Sequence, residues 1–199
     1  MQKTAILLIL ILSSLFTFAE DTLKDTTTHI EFPMEITAEA NGKQISLIAT
    51  GVATRSKFFI KIYSIAHYFQ EPLPSKAVFF EEVFKPEKAK QFIIVWVRDV
   101  PSSNIQEAFR ESFEKTIPRE QYTKLHPDIE TFLSFFNVNA KEKDQYTLLW
   151  IGDTLNVGIN GQKKGELTNP ELAAAIWGVW LGPKSVVNRS RLLSLVPTR

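Results

Sequence analysis

Apolar and polar positions through the first half of the chain follow patterns typical of β-strands. Glu35–Ala40 and residues 43–50 flank Asn41-Gly42, a dipeptide typical of two-residue hairpin turns. Residues 55–69 are rich in β-branched and aromatic side chains, which predicts one long strand. Residues 92–97 (FIIVWV) form a continuous apolar run, as expected for a strand buried on both faces. We therefore predict a β-sheet in this half of the chain.

Apolar residues at helical spacing predict two helices in the next part of the chain. Consecutive serines at positions 102 and 103 can cap the first helix, and Pro118 is expected to end it. Ile105, Phe109 and Phe113 recur every four residues and form its apolar stripe. A second helix is predicted to begin near Pro127, with apolar residues at positions 129, 132, 133 and 136.

Strand patterns return before a final helix. Gln145–Ile151 and Thr154–Ile159 read as strands, and a hairpin turn at positions 160–161 leads to a third strand. Asn169 can cap the last helix, and Gly182 suits a left-handed residue at its end. The order strands, helices, strands, helix predicts an α+β fold, an antiparallel sheet with helices packed on one side.

The N-terminus has the order of a secretory signal peptide. Lys3 precedes an uncharged apolar run, and Thr17-Phe18-Ala19 places small residues at the cleavage site, which predicts a signal peptide over residues 1–19. We expect residues 20–32 to form a flexible leader and residues 33–199 to form a single domain. The protein is therefore expected to be exported, to a bacterial periplasm or secreted, with no membrane span after cleavage.

Composition removes several classes of function. Without Lys3, the mature chain has 22 basic and 22 acidic side chains, so we expect no nucleic-acid partner. The absence of cysteine excludes disulfides and thiolate chemistry. His29, His67 and His126 lie far apart without the spacing of metal ligands, so we expect no metal site. We expect a monomer without a cofactor.

Three motifs in the expected order resemble the chalcone isomerase-like family, and most closely its bacterial exported branch. The first is Arg55 with residues 57–63 (KFFIKIY), the second is residues 97–100 (VRDV) with residues 108–113 (AFRESF), and the third combines residues 175–177 (AIW) with residues 180–182 (WLG). The resemblance extends from about Ile36 to Leu195. It implies an open-faced antiparallel sheet with helices on one side and a ligand cleft between the long strand and those helices.

The resemblance also indicates which positions would surround a ligand. Arg55 matches an arginine that orients the substrate of the plant enzymes, and Tyr63 stands where those enzymes have a threonine. Hydrophobic or small residues replace most of the remaining polar groups, at Ile105, Ala108, Ser112 and Val179. Because one such hydrogen-bond donor is worth about 3 to 4 kcal/mol in catalysis, we do not expect chalcone isomerase activity.

Arg55 remains a candidate for binding. On a regular strand Arg55, Phe59 and Tyr63 share one face, where a guanidinium can bind a carboxylate and aromatic rings can hold an apolar body. Fatty-acid-binding members of the family are similar in this respect, so the resemblance implies a fatty acid or similar apolar carboxylate as ligand. However, Lys57 and Lys61 have the same parity, which would also suit a face that simply meets water.

Two further functions remain open on the sequence. The first is an isomerase or lyase that acts on an unknown substrate with Arg55, Tyr63 and Ser112. The second is a structural or partner-binding module whose cleft is filled by bulky side chains such as Tyr63 and Phe109. The cleft distinguishes the three possibilities, because a binding protein needs a deep apolar cavity with Arg55 at its mouth.

Overall fold

The computed structural model describes residues 21–40 and 43–198 of the chain. The predicted signal peptide, residues 1–19, and the predicted hairpin turn at Asn41-Gly42 lie outside these residues. Within the described part, nine strands and five helices follow one another in the order strands, helices, strands, helices, except that one short helix lies between the fifth and sixth strands.

Seven strands form one antiparallel sheet in which each strand pairs with the next along the chain. Their bounds are β3 (Glu35–Ala40), β4 (Lys43–Lys57), β5 (Ile60–Gln70), β6 (Lys90–Trp96), β7 (Gln145–Ile151), β8 (Thr154–Ile159) and β9 (Gln162–Thr168). The predicted bounds of β7 and β8 are confirmed. Their strict alternation of buried and less buried residues gives each strand one face toward the core.

The long strand predicted over residues 55–69 is wrong, because the chain turns in its middle. β4 ends at Lys57, β5 begins at Ile60, and Phe58 and Phe59 between them have φ values of 51° and 65°. Two consecutive positive φ values across a two-residue loop are the requirement of a type I′ hairpin turn. Phenylalanine is not a turn residue, so the composition concealed the reversal.

Five helices occur in the described residues: α1 (Lys76–Glu82), α2 (Ser102–Thr116), α3 (Arg119–Ser134), α4 (Pro170–Leu181) and α5 (Arg189–Leu192). Helix α1 was not predicted. Pro127 lies inside α3 and does not begin it, and the helix instead starts directly after Pro118. Asn169 caps α4 as predicted, whereas Gly182 has a φ of −73° and is not left-handed.

The helices cover one face of the sheet and enclose an aromatic core. Phe92 of β6 meets Trp177 and Trp180 of α4 with ring centroids 4.9 and 4.8 Å apart. The predicted stripe of α2 is buried and extends this core, with Phe113 fully buried and Phe109 9% exposed. The predicted arrangement of an antiparallel sheet with helices on one side is therefore confirmed.

The opposite face of the sheet is partly covered by the segment that precedes it. Strands β1 (Thr22–Lys24) and β2 (Glu31–Pro33) form a separate hairpin, and Phe32 packs into a second, smaller core. The buried carboxylate of Asp25 accepts hydrogen bonds from Thr54 of β4 at 2.5 Å and Ser64 of β5 at 2.7 Å. From residue 21 onward, the segment predicted as a flexible leader is thus folded against the sheet.

Candidate functional site

A cavity of about 590 Å³ lies between the sheet and helix α2. Helix α2 packs mainly against α3 and α4. Apolar side chains from strands and helices form most of its wall, among them Ile62, Ile94, Ile105, Phe109, Leu148 and Val179. The volume falls within the range of about 300–1,000 Å³ that is usual for small-molecule sites.

Arg55 and Tyr63 lie opposite each other across the pairing of β4 with β5 and both line the cavity. The half-buried Arg55 guanidinium donates a hydrogen bond from Nη1 to the carbonyl oxygen of Val186 at 2.6 Å. The Tyr63 hydroxyl oxygen accepts a hydrogen bond from Trp180 Nε1 at 2.9 Å. Burial raises the pKa of Tyr63 to about 12, against the opposing effects of Trp180 and Arg55, so the phenol keeps its proton.

The other predicted site residues divide into two groups. Ile105, Ala108, Ser112 and Val179 line the same cavity as Arg55 and Tyr63, with Ile105 and Val179 buried. Phe59 does not line it: its side chain projects from the β4–β5 turn and is fully exposed. The expectation that Phe59 shares one face with Arg55 and Tyr63 is therefore wrong, because the turn breaks the strand parity on which it relied.

Two polar groups that the sequence analysis missed also belong to the cavity lining. Trp96 of β6 and Tyr146 of β7 are 5% and 1% exposed, and neither Trp96 Nε1 nor the Tyr146 hydroxyl has a hydrogen-bond partner in the described chain. Burial, with the nearby charge of Asp144, raises the pKa of Tyr146 to about 12, which keeps it neutral. Both residues lie in strands whose sequence pattern predicts ordinary core residues, and no motif indicates that they belong to a site.

Comparisons with known protein families and structures agree with the fold described above. The family model described as chalcone isomerase-like matches residues 25–191, which is most of the chain. The chain belongs to the chalcone isomerase-like family. The crystal structure of a fatty-acid binding protein from Arabidopsis thaliana is similar to this fold, with a TM-score of 0.72 and 15% sequence identity over 87% of this chain and 96% of that chain. No curated protein sequence matches the chain.

The cleft of this chalcone isomerase-like protein is not filled by its own bulky side chains. Tyr63, Ile105, Phe109 and Trp180 all line the open cavity, so they form its walls. A smaller depression of about 310 Å³ lies elsewhere, between α4 and the end of α2, and includes neither Arg55 nor Tyr63. The larger cavity is therefore the candidate site.

Charged side chains surround the mouth of the cavity. Lys57, Arg98 and Lys115 line it together with Glu107 and Glu111. The pKa of Glu111 is lowered by a hydrogen bond from Lys115 and by the charges of Lys57 and Lys115, with a smaller effect from Arg55. The positive charge of Arg55 thus acts on groups at the entrance as well as inside the cavity.

The described residues offer no sign of a metal site or a membrane-spanning helix. Across residues 21–40 and 43–198, no three His, Asp or Glu side chains are grouped so that they could hold a metal ion. None of the helices in this same part of the chain has the length and apolar character needed to cross a bilayer.

Proposed function

We propose that this chalcone isomerase-like protein binds a fatty acid or a similar apolar carboxylate without transforming it. The carboxylate would bind to Arg55 and the hydrocarbon would occupy the cavity. The observation that carries the proposal is an open, mostly apolar cavity of about 590 Å³ with one half-buried arginine in its wall. This combination suits a ligand with one anionic group and an apolar body.

Arg55 retains the donors that such a ligand needs. A guanidinium carries five N–H donors, and the hydrogen bond to the Val186 carbonyl uses only one of them. The bond to Val186 also fixes the position of the guanidinium, which reduces the entropy lost when a carboxylate binds. Tyr63 adds a second donor, because its oxygen already accepts from Trp180 while its pKa of about 12 retains the proton.

The helix that faces Arg55 supports binding more than catalysis. Ile105 and Ala108 bring no polar group to the cavity, and the Ser112 hydroxyl donates a hydrogen bond of 2.6 Å to the Ala108 carbonyl within α2. The charged residues of α2 that line the cavity, Glu107, Glu111 and Lys115, form salt bridges within the helix. An isomerase would need several polar groups that converge on one reacting atom. The similar Arabidopsis protein is itself described as a fatty-acid binding protein, which agrees with the proposal.

Export is a separate part of the proposal. The basic residue, apolar run and small residues of positions 1–19 support cleavage by a signal peptidase. Intact mass measurement of the purified native protein should then give a chain that begins at Glu20. Full-length protein recovered from the cytoplasmic fraction alone would contradict it.

The ligand is tested by native mass spectrometry of the mature protein purified without detergent, followed by extraction and titration with palmitic acid. We expect a bound carboxylic acid, and an affinity that falls roughly tenfold to a hundredfold in Arg55→Ala, since hydrogen bonds to charged groups contribute about 1.5–3 kcal/mol. Arg55→Lys keeps the charge but loses the fork geometry, so it should have an intermediate affinity.

Arg119→Ala is the matched control, because this exposed arginine at the start of α3 does not line the cavity. Its affinity for palmitic acid should equal that of the wild type. If Arg55→Ala binds as tightly as the control, Arg55 does not anchor the carboxylate. If the wild-type protein carries no acid and ignores added fatty acid, the binding proposal fails altogether.

A further inference from the structure

The turn between β4 and β5 presents two adjacent aromatic rings to solvent. Phe58 is 83% exposed, Phe59 is fully exposed, and the next residue, Ile60, is half exposed. Both phenylalanines hold a left-handed backbone, which bulky residues rarely adopt. Single exposed apolar residues are common on protein surfaces, but this turn concentrates three of them at a projecting tip.

Lysines flank these rings on both sides. Lys57 precedes and Lys61 follows the apolar residues, and neither forms a salt bridge within the described chain. Lys61 Nζ instead donates a hydrogen bond to the Thr27 carbonyl at 2.5 Å, which leaves its charge unneutralised. The residues 57–61, called here the hairpin tip, thus combine an apolar end with a positive base.

Two acidic residues of α2 line the cavity together with Lys57, and each of them forms a salt bridge within that helix. Glu107 lies 3.9 Å from Arg110 and Glu111 lies 3.3 Å from Lys115. The charge of Lys57 lowers the pKa of Glu111, but neither lysine of the tip is held in a salt bridge within the described chain, so both can contact an external anion.

The hairpin tip also borders the candidate site. Lys57, Phe58 and Ile60 line the cavity, whereas Phe59 points away from it. Anything that the tip binds would therefore lie beside the cavity entrance. A stable protein interface buries about 800 Å² on each partner, far more than a two-residue turn presents, whereas a lipid interface can accept two aromatic rings alone.

We propose that the hairpin tip docks the protein on the surface of a bilayer that carries anionic lipids. The rings of Phe58 and Phe59 would enter the interfacial region, where aromatic side chains are favoured, while Lys57 and Lys61 contact the headgroups. Docking does not depend on the ligand proposed above. One consequence does rest on that proposed function: an apolar acid could pass between bilayer and cavity without crossing bulk water.

Co-sedimentation with vesicles tests the docking. The mature protein should bind vesicles of equal parts phosphatidylglycerol and phosphatidylcholine more strongly than vesicles of phosphatidylcholine alone, and less strongly as salt is raised. Phe58→Asn/Phe59→Gly should lose on the order of tenfold in binding to both, since it removes the rings and keeps a favourable turn. Lys57→Gln/Lys61→Gln should lose roughly fivefold per lysine, and only on the anionic vesicles.

Val78→Ser is the matched control, since Val78 is an exposed apolar residue on α1, away from the cavity lining. It should sediment like the wild type. Absence of vesicle binding by the wild type, or equal binding by Phe58→Asn/Phe59→Gly, would overturn the proposal. A dimer in sedimentation velocity that this double variant dissociates would also overturn it, because a second copy would then cover the tip.

Phe59→Gly separates this proposal from the proposed ligand. Phe59 does not line the cavity, so the variant should retain wild-type affinity for palmitic acid while its vesicle binding falls. Vesicle binding without any affinity for palmitic acid would support docking and contradict the ligand. Affinity for palmitic acid without vesicle binding would support the proposed ligand and contradict the docking.

Discussion

Trp180 Nε1 donates a hydrogen bond of 2.9 Å to the hydroxyl oxygen of Tyr63, and this bond joins helix α4 to strand β5 at the cavity wall. The bond orients the phenol beside Arg55, which lies directly across the strand pair. It also satisfies an indole N–H on a tryptophan that is 1% exposed. One contact therefore serves both the packing of the helix layer and the polarity of the cavity.

Tyr63→Phe should reduce stability, because it leaves the buried Trp180 N–H without its acceptor. We expect the free energy of unfolding to fall by about 1–3 kcal/mol, the usual cost of an unsatisfied buried donor. Urea denaturation measures this change. An unchanged midpoint would mean that water or another group replaces the Tyr63 oxygen. The affinity for palmitic acid should fall as well, since a second donor is lost.

Tyr146→Phe is the counterpart, and its expected effect has the opposite sign. The Tyr146 hydroxyl is buried without a hydrogen-bond partner in the described residues. Its removal therefore eliminates the free-energy cost of desolvating the hydroxyl, and no other buried polar group loses a partner. The free energy of unfolding of the ligand-free protein should stay equal or rise, by up to about 1–2 kcal/mol. A loss as large as that of Tyr63→Phe would show that the hydroxyl has a partner in solution.

The turn at Phe58 and Phe59 should gain stability when residues suited to its backbone replace the rings. L-residues in a left-handed conformation cost about 1–2 kcal/mol each relative to glycine, and Asn-Gly is the preferred pair for such a turn. Phe58→Asn/Phe59→Gly should therefore raise the free energy of unfolding by about 1–3 kcal/mol in urea denaturation. A decrease would mean that the exposed rings pack against something that stabilises the fold.

The contrast between two turns shows how far the sequence could predict the sheet. Asn160-Gly161, with alternating residues on each side, correctly indicated the turn that links β8 and β9, because both residues favour the required backbone. Phe58-Phe59 has neither turn residue, and the antiparallel pairing of β4 with β5, which joins Lys57 to Ile60, closes the turn in a left-handed conformation. The same principle that identified the first turn therefore concealed the second.

The candidate site was predictable where family motifs marked it, and less so elsewhere. Arg55 and Tyr63 were placed together from the parity of a strand that does not exist, yet their cross-strand pairing brings them to one cavity. Residues 20–32, which include Asp25, are polar and rich in threonine, and this composition predicted a flexible leader. The burial of Asp25 depends on hydrogen bonds from Thr54 and Ser64, and partners so distant in sequence leave no local pattern.

His67 sits in a buried network that fixes its protonation state. Trp177 Nε1 donates to His67 Nε2 at 3.1 Å, so Nδ1 carries the proton and donates to Thr50 Oγ1 at 2.9 Å. The Thr50 hydroxyl in turn donates to the Leu192 carbonyl at 3.0 Å. Burial, with a smaller effect from the Lys90 charge, holds the pKa of His67 well below its ordinary value of 6.5.

Stability should therefore fall in acid through this histidine. Below pH 6.5 the unfolded chain takes up a proton that the folded chain cannot accept, so the free energy of unfolding decreases by about 1.4 kcal/mol per pH unit until the folded pKa is reached. Urea denaturation at pH 7, 6 and 5 measures the slope. Burial lowers the pKa of Lys90 to about 7, so at pH 7 this lysine is only partly protonated in the folded protein and adds to the change between pH 7 and 6. Between pH 6 and 5 it is protonated in both states, so the slope in that interval does not depend on it.

His67→Gln isolates this contribution, since an amide can accept from Trp177 and donate to Thr50 without titrating. The variant should be less stable than the wild type at pH 7, because the glutamine amide does not reproduce the hydrogen-bond geometry of the imidazole ring. Its free energy of unfolding should nevertheless fall less steeply toward pH 5. The difference between the two slopes is the share that belongs to His67. Parallel slopes would mean that His67 gains its proton in the folded state, through an opening that lets water reach the network between α4 and β5.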